Sequence, residues 1–382
     1  MKHWGEHRLG DLVDILSGFA FDSENFADSG EMPIVRIRDV VRGRSSTFYK
    51  GEFDQKYVLR DGDMLIGMDG EFNLARWQGG PALLNQRVCR IAASNGVLDD
   101  GYLFRFLRGA LKAIEDVTPY VTVKHLSVKT IRDIEIPLPP LAEQRRIAEV
   151  LDRAEALRAK RRAALAQLDS LTQSLFLDLF GDPVSNPKGV KVVRLADVAT
   201  RITDGVHQKP NYTESGVPFI SVKDITTGKL IFDDCKFISA EDHERFTKRC
   251  KPERLDILYT KVGATYGRPA IVETDREFSL YVSVCIIKPR KDLIDPHFLN
   301  AALGTPAVKN QADRRIKGIG VPDLHLDQIQ SFLIPLPSMS QQREFARRVT
   351  VVEALKKAQR ASLAELDALF ATLQHRAFRG EL

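Results

Sequence analysis

Apolar residues recur at alternating steps of four and three along two long stretches of the chain. In the first stretch these residues are Ile147, Leu151, Ala154, Leu165, Leu168, Leu175 and Leu179, and in the second they are Phe345, Val349, Val352, Leu363, Leu366, Phe370, Leu373 and Ala377. A period near 3.5 predicts a helix that packs lengthwise against a partner helix. Each stretch of about 40 residues would form a helix roughly 60 Å long.

The two stretches are copies of one another. Adding 198 to the numbers of residues 136–180 gives residues 334–378, and the identities include Gln144 with Gln342 and Glu155 with Glu353. Both copies open on Ile-Pro-Leu-Pro, whose prolines stop a preceding element from running on into the helix. Weaker matches precede each copy, for example residues 32–40 with 217–225. The chain therefore repeats one globular module followed by one long helix.

The middle of each apolar seam is polar. Arg158 and Arg161 stand there in the first helix, and Lys356 and Gln359 in the second. These residues are either solvated helix surface or buried polar positions that fix the register of the two helices. The sequence leaves both interpretations open.

The modules combine short strands with late helices. Runs rich in valine and isoleucine alternate with glycine-bearing turns, and helices are expected near residues 102–114 and 296–303, the second capped by Asp295 with Pro296 in its first turn. This pattern predicts the α+β class, with two mixed α/β modules in tandem. We place the first module at 1–139, the first long helix at 140–182, the second module at 183–337 and the second long helix at 338–382.

Composition narrows the class of protein. The 382 residues suit two globular units with connecting elements. A net charge of +5 is small for a protein that binds nucleic acid mainly through phosphates, so any DNA contact should depend on localised basic loops. With neither a long apolar run nor a signal-peptide core, we expect a cytoplasmic protein without membrane contact.

The four cysteines and the catalytic motifs that the sequence lacks argue against a metal site and against catalysis. No C-x-x-C spacing points to zinc, and Cys89 and Cys285 lie in apolar runs typical of core strands. The sequence has neither a G-x-x-x-x-G-K-[ST] phosphate loop nor a [DN]-P-P-[FYW] methyltransferase motif. Glu143, Asp152 and Glu155 lie near arginines, which favours solvated ion pairs. We therefore expect a non-catalytic chain.

The arrangement of motifs resembles one known family. Ile-Pro-Leu-Pro-Pro-Leu-x-Glu-Gln-Arg-Arg-Ile, a heptad helix ending in Leu-Phe-Gly-Asp-Pro, a second module, a second Ile-Pro-Leu-Pro and a second helix together resemble the specificity subunit of type I restriction-modification enzymes. The resemblance covers essentially the whole chain. It departs at Met339, Ser340 and Gln341, which replace Leu-x-Glu of the first copy, so the two partner-binding surfaces should be unequal.

The resemblance implies an architecture and a set of partners. The modules would be target recognition domains, each reading one half of a bipartite, asymmetric site on double-stranded DNA. Two long antiparallel helices would form a coiled coil that separates them, with internal pseudo-twofold symmetry. Two methyltransferase subunits would dock on these helices, and restriction or translocase subunits could join them. No cofactor is expected in this chain, because S-adenosylmethionine and ATP with magnesium would belong to the partners.

Polar and basic residues of the divergent loops are the candidates for DNA contact. Arginine can bridge guanine O6 and N7, asparagine or glutamine can bridge adenine N6 and N7, and lysine mostly holds phosphate. The candidates in the first module are Arg36, Arg38, Arg42, Arg44, Asn73, Arg76, Gln86, Arg87, Lys124 and His125. Those in the second are His207, Lys209, Asn211, Tyr212, Lys261, Thr265, Tyr266, Arg268, Arg314, Arg315 and Lys317. Any single one of them could instead be a solvated charge or stabilise the fold.

The first long helix carries the candidate partner surface, and other functions stay open. Leu171, Phe176 and Leu177 lie on the outer flank of the first helix and are the predicted partner-binding residues, because a two-helix seam alone cannot bury all of them. The alternative is that they pack against the modules. One rival function is a coiled-coil scaffold whose modules bind protein and have no sequence-dependent DNA affinity. Another keeps the fold but serves a methylation-only complex, and a third is an enzyme with an unrecognised active site.

Overall fold

The structure is a computed structural model that describes residues 4–94, 96–118, 124–182, 185–316 and 320–382. The chain divides into two compact units. The first unit comprises Met1–Arg161 with Ser362–Leu382, and the second comprises Arg162–Ala361. Within the described ranges, no helix combines the length and apolar character needed to cross a membrane.

The first unit is built from short strands and a few helices. Its strands are β1 (Glu6–Arg8), β2 (Val13–Ser17), β3 (Phe26–Ala27), β4 (Met32–Val35), β5 (Phe48–Tyr49), β6 (Val58–Leu59), β7 (Met64–Gly67), β8 (Leu74–Arg76), β9 (Ala82–Leu84), β10 (Val88–Ala93) and β11 (Glu135–Pro137). Its helices are α1 (Ile37–Arg42), α2 (Asp100–Val117), α3 (Val128–Arg132) and the start of α4 (Leu141–Phe180).

Two larger sheets organise the first unit. An antiparallel sheet has the strand order β2-β10-β7-β8, and a mixed sheet has the order β3-β5-β4-β9-β6, in which β4 and β9 run parallel. Strand β1 pairs with β11 just before the first long helix. The amphipathic helix α2 buries Tyr102, Leu103 and Leu107 in the same core as Ile66 and Ile91 of the antiparallel sheet. Each such side chain contributes about 1.5–3 kcal/mol by leaving water.

The second unit has the same kinds of elements. Its strands are β12 (Val192–Arg194), β13 (Ala199–Asp204), β14 (Val217–Ile220), β15 (Lys236–Ile238), β16 (Ile257–Thr260), β17 (Pro269–Ile271), β18 (Ser279–Leu280), β19 (Val284–Pro289) and β20 (Leu333–Pro335). Its helices are α5 (Ala240–Thr247), α6 (Pro296–Leu303), α7 (Pro306–Arg315), α8 (Leu326–Gln330) and most of α9 (Met339–Ala377).

The topology of the second unit repeats that of the first. The antiparallel order β13-β19-β16-β17 corresponds to β2-β10-β7-β8, the pair β12-β20 to β1-β11, and the parallel pair β14-β18 to β4-β9. The predicted helix at 296–303 is confirmed with its cap, since Asp295 accepts from the backbone N–H groups of His297 and Phe298. The mixed α/β character and the repeated module are therefore confirmed.

Both helices of about 40 residues are present. Of their polar seam residues, Lys356 is buried, whereas Arg158, Arg161 and Gln359 are half-buried. In the first unit, Arg158 donates to Asp367 at 2.6 Å and lies 4.4 Å from the ring centroid of Phe370. In the second unit, Lys356 is 6% exposed and lies 3.2 Å from Asp169. Within each unit the contacting segments run in opposite directions. These contacts favour the register interpretation of the seam over the solvated one.

The cysteines behave as core residues. Cys89 lies in β10 and Cys285 in β19, both wholly buried as predicted, and Cys235 and Cys250 are buried as well. Burial raises the pKa of the Cys89 thiol to about 12. A thiol with such a pKa is inert at neutral pH.

Candidate nucleic-acid interface

In each unit, loops at corresponding positions of the repeated fold meet at one end of the antiparallel sheet. After β7 the chain turns at Gly70, whose N–H donates to the carbonyl of Lys124, and after β16 it turns at Gly263, whose N–H donates to the carbonyl of Pro322. Both hydrogen bonds measure 2.9 Å. We call each meeting point the sheet corner of its unit. It comprises residues 68–70, 85–87 and 124–126 in the first unit, and residues 204–207, 261–263, 281–283 and 322–324 in the second.

In each unit, the segment that follows the first strand of the antiparallel sheet passes very close to the backbone of the sheet corner. The chain leaves β2 at Gly18 and β13 at Gly205, and each glycine passes directly beside the loop ahead of β10 or β19. A Cβ on either glycine would lie 2.0 Å from a carbonyl oxygen, of Asn85 and Leu280 respectively. Isolated parallel bridges follow at once, Phe19 with Asn85 and Val206 with Tyr281. Only glycine permits this crossing.

The sheet corner of the first unit holds one carboxylate between two basic groups. Asp69 lies 2.6 Å from Nδ1 of His125 and 3.4 Å from Nε of Arg87. The Asp69 side chain is mostly buried, whereas both basic side chains are more than half exposed. Arg87 has a backbone φ of 71°, which is rare for a residue with a side chain and marks a backbone constrained by its surroundings.

The sheet corner of the second unit is more highly charged. Asp204 is buried and accepts from Nη2 of Arg249 at 2.9 Å, with His207 at 3.4 Å and Lys261 at 3.7 Å. Lys261 is 5% exposed and also pairs with Asp323 at 3.3 Å. These residues line a cleft of about 660 Å³. Such a concave, charged surface on loops is suited to contacts with a polar ligand.

One polar atom in this cleft has no partner within the described residues. The Oγ atom of Ser283 is buried and makes no hydrogen bond, although Ser283 lines the cleft. A buried hydroxyl without a partner costs about 1–3 kcal/mol. The lining of this cleft therefore contains an unpaired hydroxyl as well as the charges of Arg249 and Lys261.

Some of the predicted DNA-contact residues meet at the sheet corners. Gln86, Arg87 and His125 are exposed there in the first unit, and His207 is exposed there in the second. Lys261 is present but buried in ion pairs. Lys124 is also buried, and its Nζ donates to the carbonyl of Glu115, so its ammonium group is committed within the fold.

The other candidates of the first unit lie on α1 and β8. Arg38, Arg42 and Arg44 are exposed on α1 and the residues after it, whereas half-buried Arg36 donates to Thr47 at 2.5 Å. Asn73 precedes β8. Arg76 donates to the carbonyls of Gly62 and Asp100, which ties it to the fold.

The other candidates of the second unit are spread over two loops and a helix. Lys209, Asn211 and Tyr212 are exposed between β13 and β14, with Nζ of Lys236 4.1 Å from the ring centroid of Tyr212. Thr265, Tyr266 and Arg268 follow β16, where the hydroxyl of Tyr266 donates to Asp313 at 2.5 Å and Arg268 donates to the carbonyl of Thr226. Arg314 and Arg315 end α7. Lys317 lies outside the described residues.

Three charged residues at these candidate sites, Asp69, Asp204 and Arg249, were not predicted from the sequence. Asp69 and Asp204 were overlooked because only basic and amide groups were sought as DNA contacts. Arg249 stands in the basic run of residues 248–251, which resembles ordinary solvated surface. Only the folded chain brings Arg249 onto Asp204, 45 residues away in sequence.

The predicted partner surface needs one correction. Phe176 is wholly buried, and its ring packs on Phe180, Phe298 and Phe345 in the core of the second unit. A partner cannot reach it, so Phe176 follows the alternative interpretation of packing against the module. Leu171 and Leu177 remain exposed, at 38% and 37%.

Known proteins share the sequence and the fold. A family model described as "Type I restriction modification DNA specificity domain" matches residues 1–167 and 187–366. The chain is 33% identical to the type I restriction enzyme EcoBI specificity subunit of Escherichia coli, covering 99% of this chain and 86% of that protein. It is 22% identical to the MjaVIII specificity subunit of Methanocaldococcus jannaschii, covering 96% and 90%.

Solved structures agree on the fold. The S subunit of a type I restriction-modification system from M. genitalium superimposes with a TM-score of 0.57 at 15% identity, over 98% of this chain and 96% of that one. A chain from a study of complex assembly in the type I R-M system gives a TM-score of 0.59 at 21% identity, over 99% and 98%.

Proposed function

The chain belongs to the DNA specificity subunits of type I restriction-modification enzymes, and we propose that its two units read two unlike halves of one bipartite DNA site. Family membership supports a role in DNA sequence specificity. It weighs against the scaffold that lacks sequence-dependent DNA affinity. The finer assignment, in which each unit reads one half-site, is our proposal.

The observation that carries the proposal is the repeated sheet corner with different side chains. The backbone hydrogen bonds of residues 68–70 are repeated at 261–263. The side chains displayed differ, with Asp69, Arg87 and His125 in one unit and a larger charged set around Asp204 in the other. One scaffold that presents two sets of donors and acceptors should select two different sequences.

The proposed recognition residues are those that remain accessible near these surfaces. At the sheet corners they include Gln86, Arg87, His125 and His207, and exposed residues such as Arg42, Arg44, Lys209 and Asn211 supply phosphate or base contacts. The proposed target recognition domains span 1–139 and 183–337.

The long helices would set the distance between the half-sites. We expect α4 and α9 to form an antiparallel coiled coil related by pseudo-twofold symmetry. The antiparallel contacts inside each unit and the ion pairs Arg158–Asp367 and Lys356–Asp169 between the helices support this arrangement. Half-sites about one DNA turn apart, roughly 34–36 Å, suit such a spacer.

Two methyltransferase subunits are the proposed partners on the helices. In the second unit, Leu171 and Leu177 on α4 and Val351 and Leu355 on α9 are 37–52% exposed and provide apolar surface. Exposed apolar side chains on a long helix are suited to such docking. Chemistry, S-adenosylmethionine and ATP would reside on these and any restriction subunits, and this chain would be non-catalytic.

A binding experiment tests the proposal. The chain is purified with its cognate methyltransferase, and competition fluorescence anisotropy at fixed salt compares its bipartite site with duplexes in which one half-site is scrambled. Either scrambled duplex should bind at least about 1,000-fold more weakly than the intact site. Equal binding of intact and scrambled duplexes would reject sequence reading. A duplex whose gap is one base pair longer serves as a control for the fixed spacing.

A further inference from the structure

An arginine is tethered to a carboxylate at the sheet corner of each unit. Nε of Arg87 lies 3.4 Å from Asp69, and Nη2 of Arg249 lies 2.9 Å from Asp204. In both pairs the acid lies deep and the arginine is open: the Asp69 and Asp204 side chains are 21% and 4% exposed, against 56% and 55% for the arginines. The two arginines come from different elements, since Arg87 precedes β10 and Arg249 follows α5.

Each guanidinium keeps most of its donors for a ligand. A guanidinium carries five N–H donors in a planar fork. Asp69 engages the Nε side of Arg87, and Asp204 engages one Nη of Arg249. No other hydrogen bond or ion pair from either guanidinium is present among the described residues. A side chain held in one orientation before binding loses less entropy when the ligand arrives.

The pairing also selects the kind of ligand. A nearby carboxylate offsets the positive charge that would attract phosphate, whereas the directional N–H donors remain. Directional donors in a planar fork match O6 and N7 of guanine in the major groove, the commonest specific contact of arginine. Lys209 and Arg42 are exposed and have no such acid partner among the residues that the structure describes, so they are better suited to phosphate.

We infer that Arg87 and Arg249 each read one guanine, each in the half-site that its own unit binds, with Asp69 and Asp204 as the positioning residues. The inference rests on the proposed function. It requires at least one G·C pair in each half-site. Substitution of either arginine should therefore loosen one position of one half-site.

The test uses methylome sequencing of hosts that express the chain with its cognate methyltransferase. In the Arg249→Ala host, one guanine of one half-site should become any base, with the other half-site and the gap unchanged. Arg87→Ala should loosen the other half-site in the same way. With the purified complexes, the preference for G·C over A·T at that position should fall from roughly 5- to 150-fold to near one.

Matched controls separate base reading from general damage. Arg254 pairs with Asp275 on the surface of the second unit, and Arg8 pairs with Asp133 on that of the first, so Arg254→Ala and Arg8→Ala should leave the motif intact. Arg249→Lys keeps the charge but loses the planar fork, so it should loosen the same position even if the alanine variant fails to fold.

Several outcomes would overturn the inference. A wild-type motif with a half-site that lacks a G·C pair would do so, as would an unchanged motif in the arginine variants. Loosening of the same half-site by both variants would also do so. A wild-type chain that directs no bipartite motif at all would instead reject the proposed function on which the inference depends.

Discussion

Gln144 binds the backbone of Asp99 at the point where the first long helix meets its unit. The side-chain oxygen of Gln144 accepts from the N–H of Asp99 at 2.7 Å, and its amide donates to the carbonyls of Val97 and Pro139. Asp99 in turn caps α2. Gln342 makes the equivalent bonds to Asp295, Leu293 and Pro337 in the second unit. Both glutamines are buried, which explains in physical terms why this position is identical in the two copies.

Removal of this buried amide should destabilise the first unit. Gln144→Ala leaves one N–H and two carbonyls without partners, at a cost of about 2–4 kcal/mol in the free energy of unfolding. Urea unfolding of the purified chain measures this change. Gln167→Ala, on the exposed face of the same helix, is the control and should cost under about 0.5 kcal/mol. Equal stability of both variants would contradict the assigned role of Gln144.

Gly205 should tolerate no side chain. The Cβ of Gly205→Ala would lie 2.0 Å from the carbonyl oxygen of Leu280, and backbone cannot yield as a flexible side chain does. We expect a loss of about 3 kcal/mol or more, or failure of the second unit to fold, measured by urea unfolding. Gly320→Ala, which meets no atom within 4 Å, should be close to wild type. A stable Gly205→Ala variant would mean that the sheet corner is not built as described.

The stability of the second unit should fall in acid partly through Glu353. Burial acts to raise the pKa of Glu353, but hydrogen bonds from Lys229 and Lys356 outweigh it and hold that pKa below its ordinary value of 4.5. A lowered folded pKa contributes stability above pH 4.5, and this is lost as the pH falls through the folded pKa. Glu353→Gln should therefore be less stable than wild type at neutral pH, by less than about 1 kcal/mol because solvent screens a carboxylate that is 38% exposed.

The pH dependence of the melting temperature checks this prediction. The difference between wild type and Glu353→Gln should be constant at neutral pH and shrink below about pH 4.5. Glu365→Gln, at an exposed site on the same helix, serves as the control. A difference that does not change with pH would show that Glu353 acts only through its packing.

The pair Arg158 and Asp367 should show measurable coupling. Arg158 is held among Glu155, Asp367 and the ring of Phe370. A double-mutant cycle with Arg158→Ala and Asp367→Ala should give a coupling of about 1 kcal/mol in unfolding experiments. The exposed pair Arg153 and Glu149 on the same helix should give less than about 0.5 kcal/mol. Equal coupling in both pairs would favour the interpretation that the polar seam residues are solvated helix surface.

The sequence predicted the features that local patterns determine, namely the long helices, some buried strands and a helix cap. The helices around Leu151 and Val349 follow from apolar spacing, and the buried strands of Cys89 and Cys285 follow from apolar runs. The cap at Asp295 follows from its position one residue ahead of Pro296. Such signals involve only residues that are close in sequence, so they can be recognised without information on distant contacts.

The sheet corners could be predicted only in part, because they depend on distant contacts. Arg249 reaches Asp204 across α5, and His125 reaches Asp69 across 56 residues that include α2. Phe176 was misassigned for a similar reason. A leucine-rich helix flank does not reveal which of its residues meets Phe298 and Phe345. The identities of the basic residues were visible, but their burial and pairing were not.

The most direct measurement is the methylome of a host that expresses this chain with its cognate methyltransferase, compared with a host that lacks this chain. We expect methylated bases in one new motif with two unlike halves, separated by a gap of fixed length. The motif should vanish when this chain is absent. A palindromic or continuous motif, or no new motif despite expression of both proteins, would contradict the proposal that the two units read unlike halves of one bipartite site.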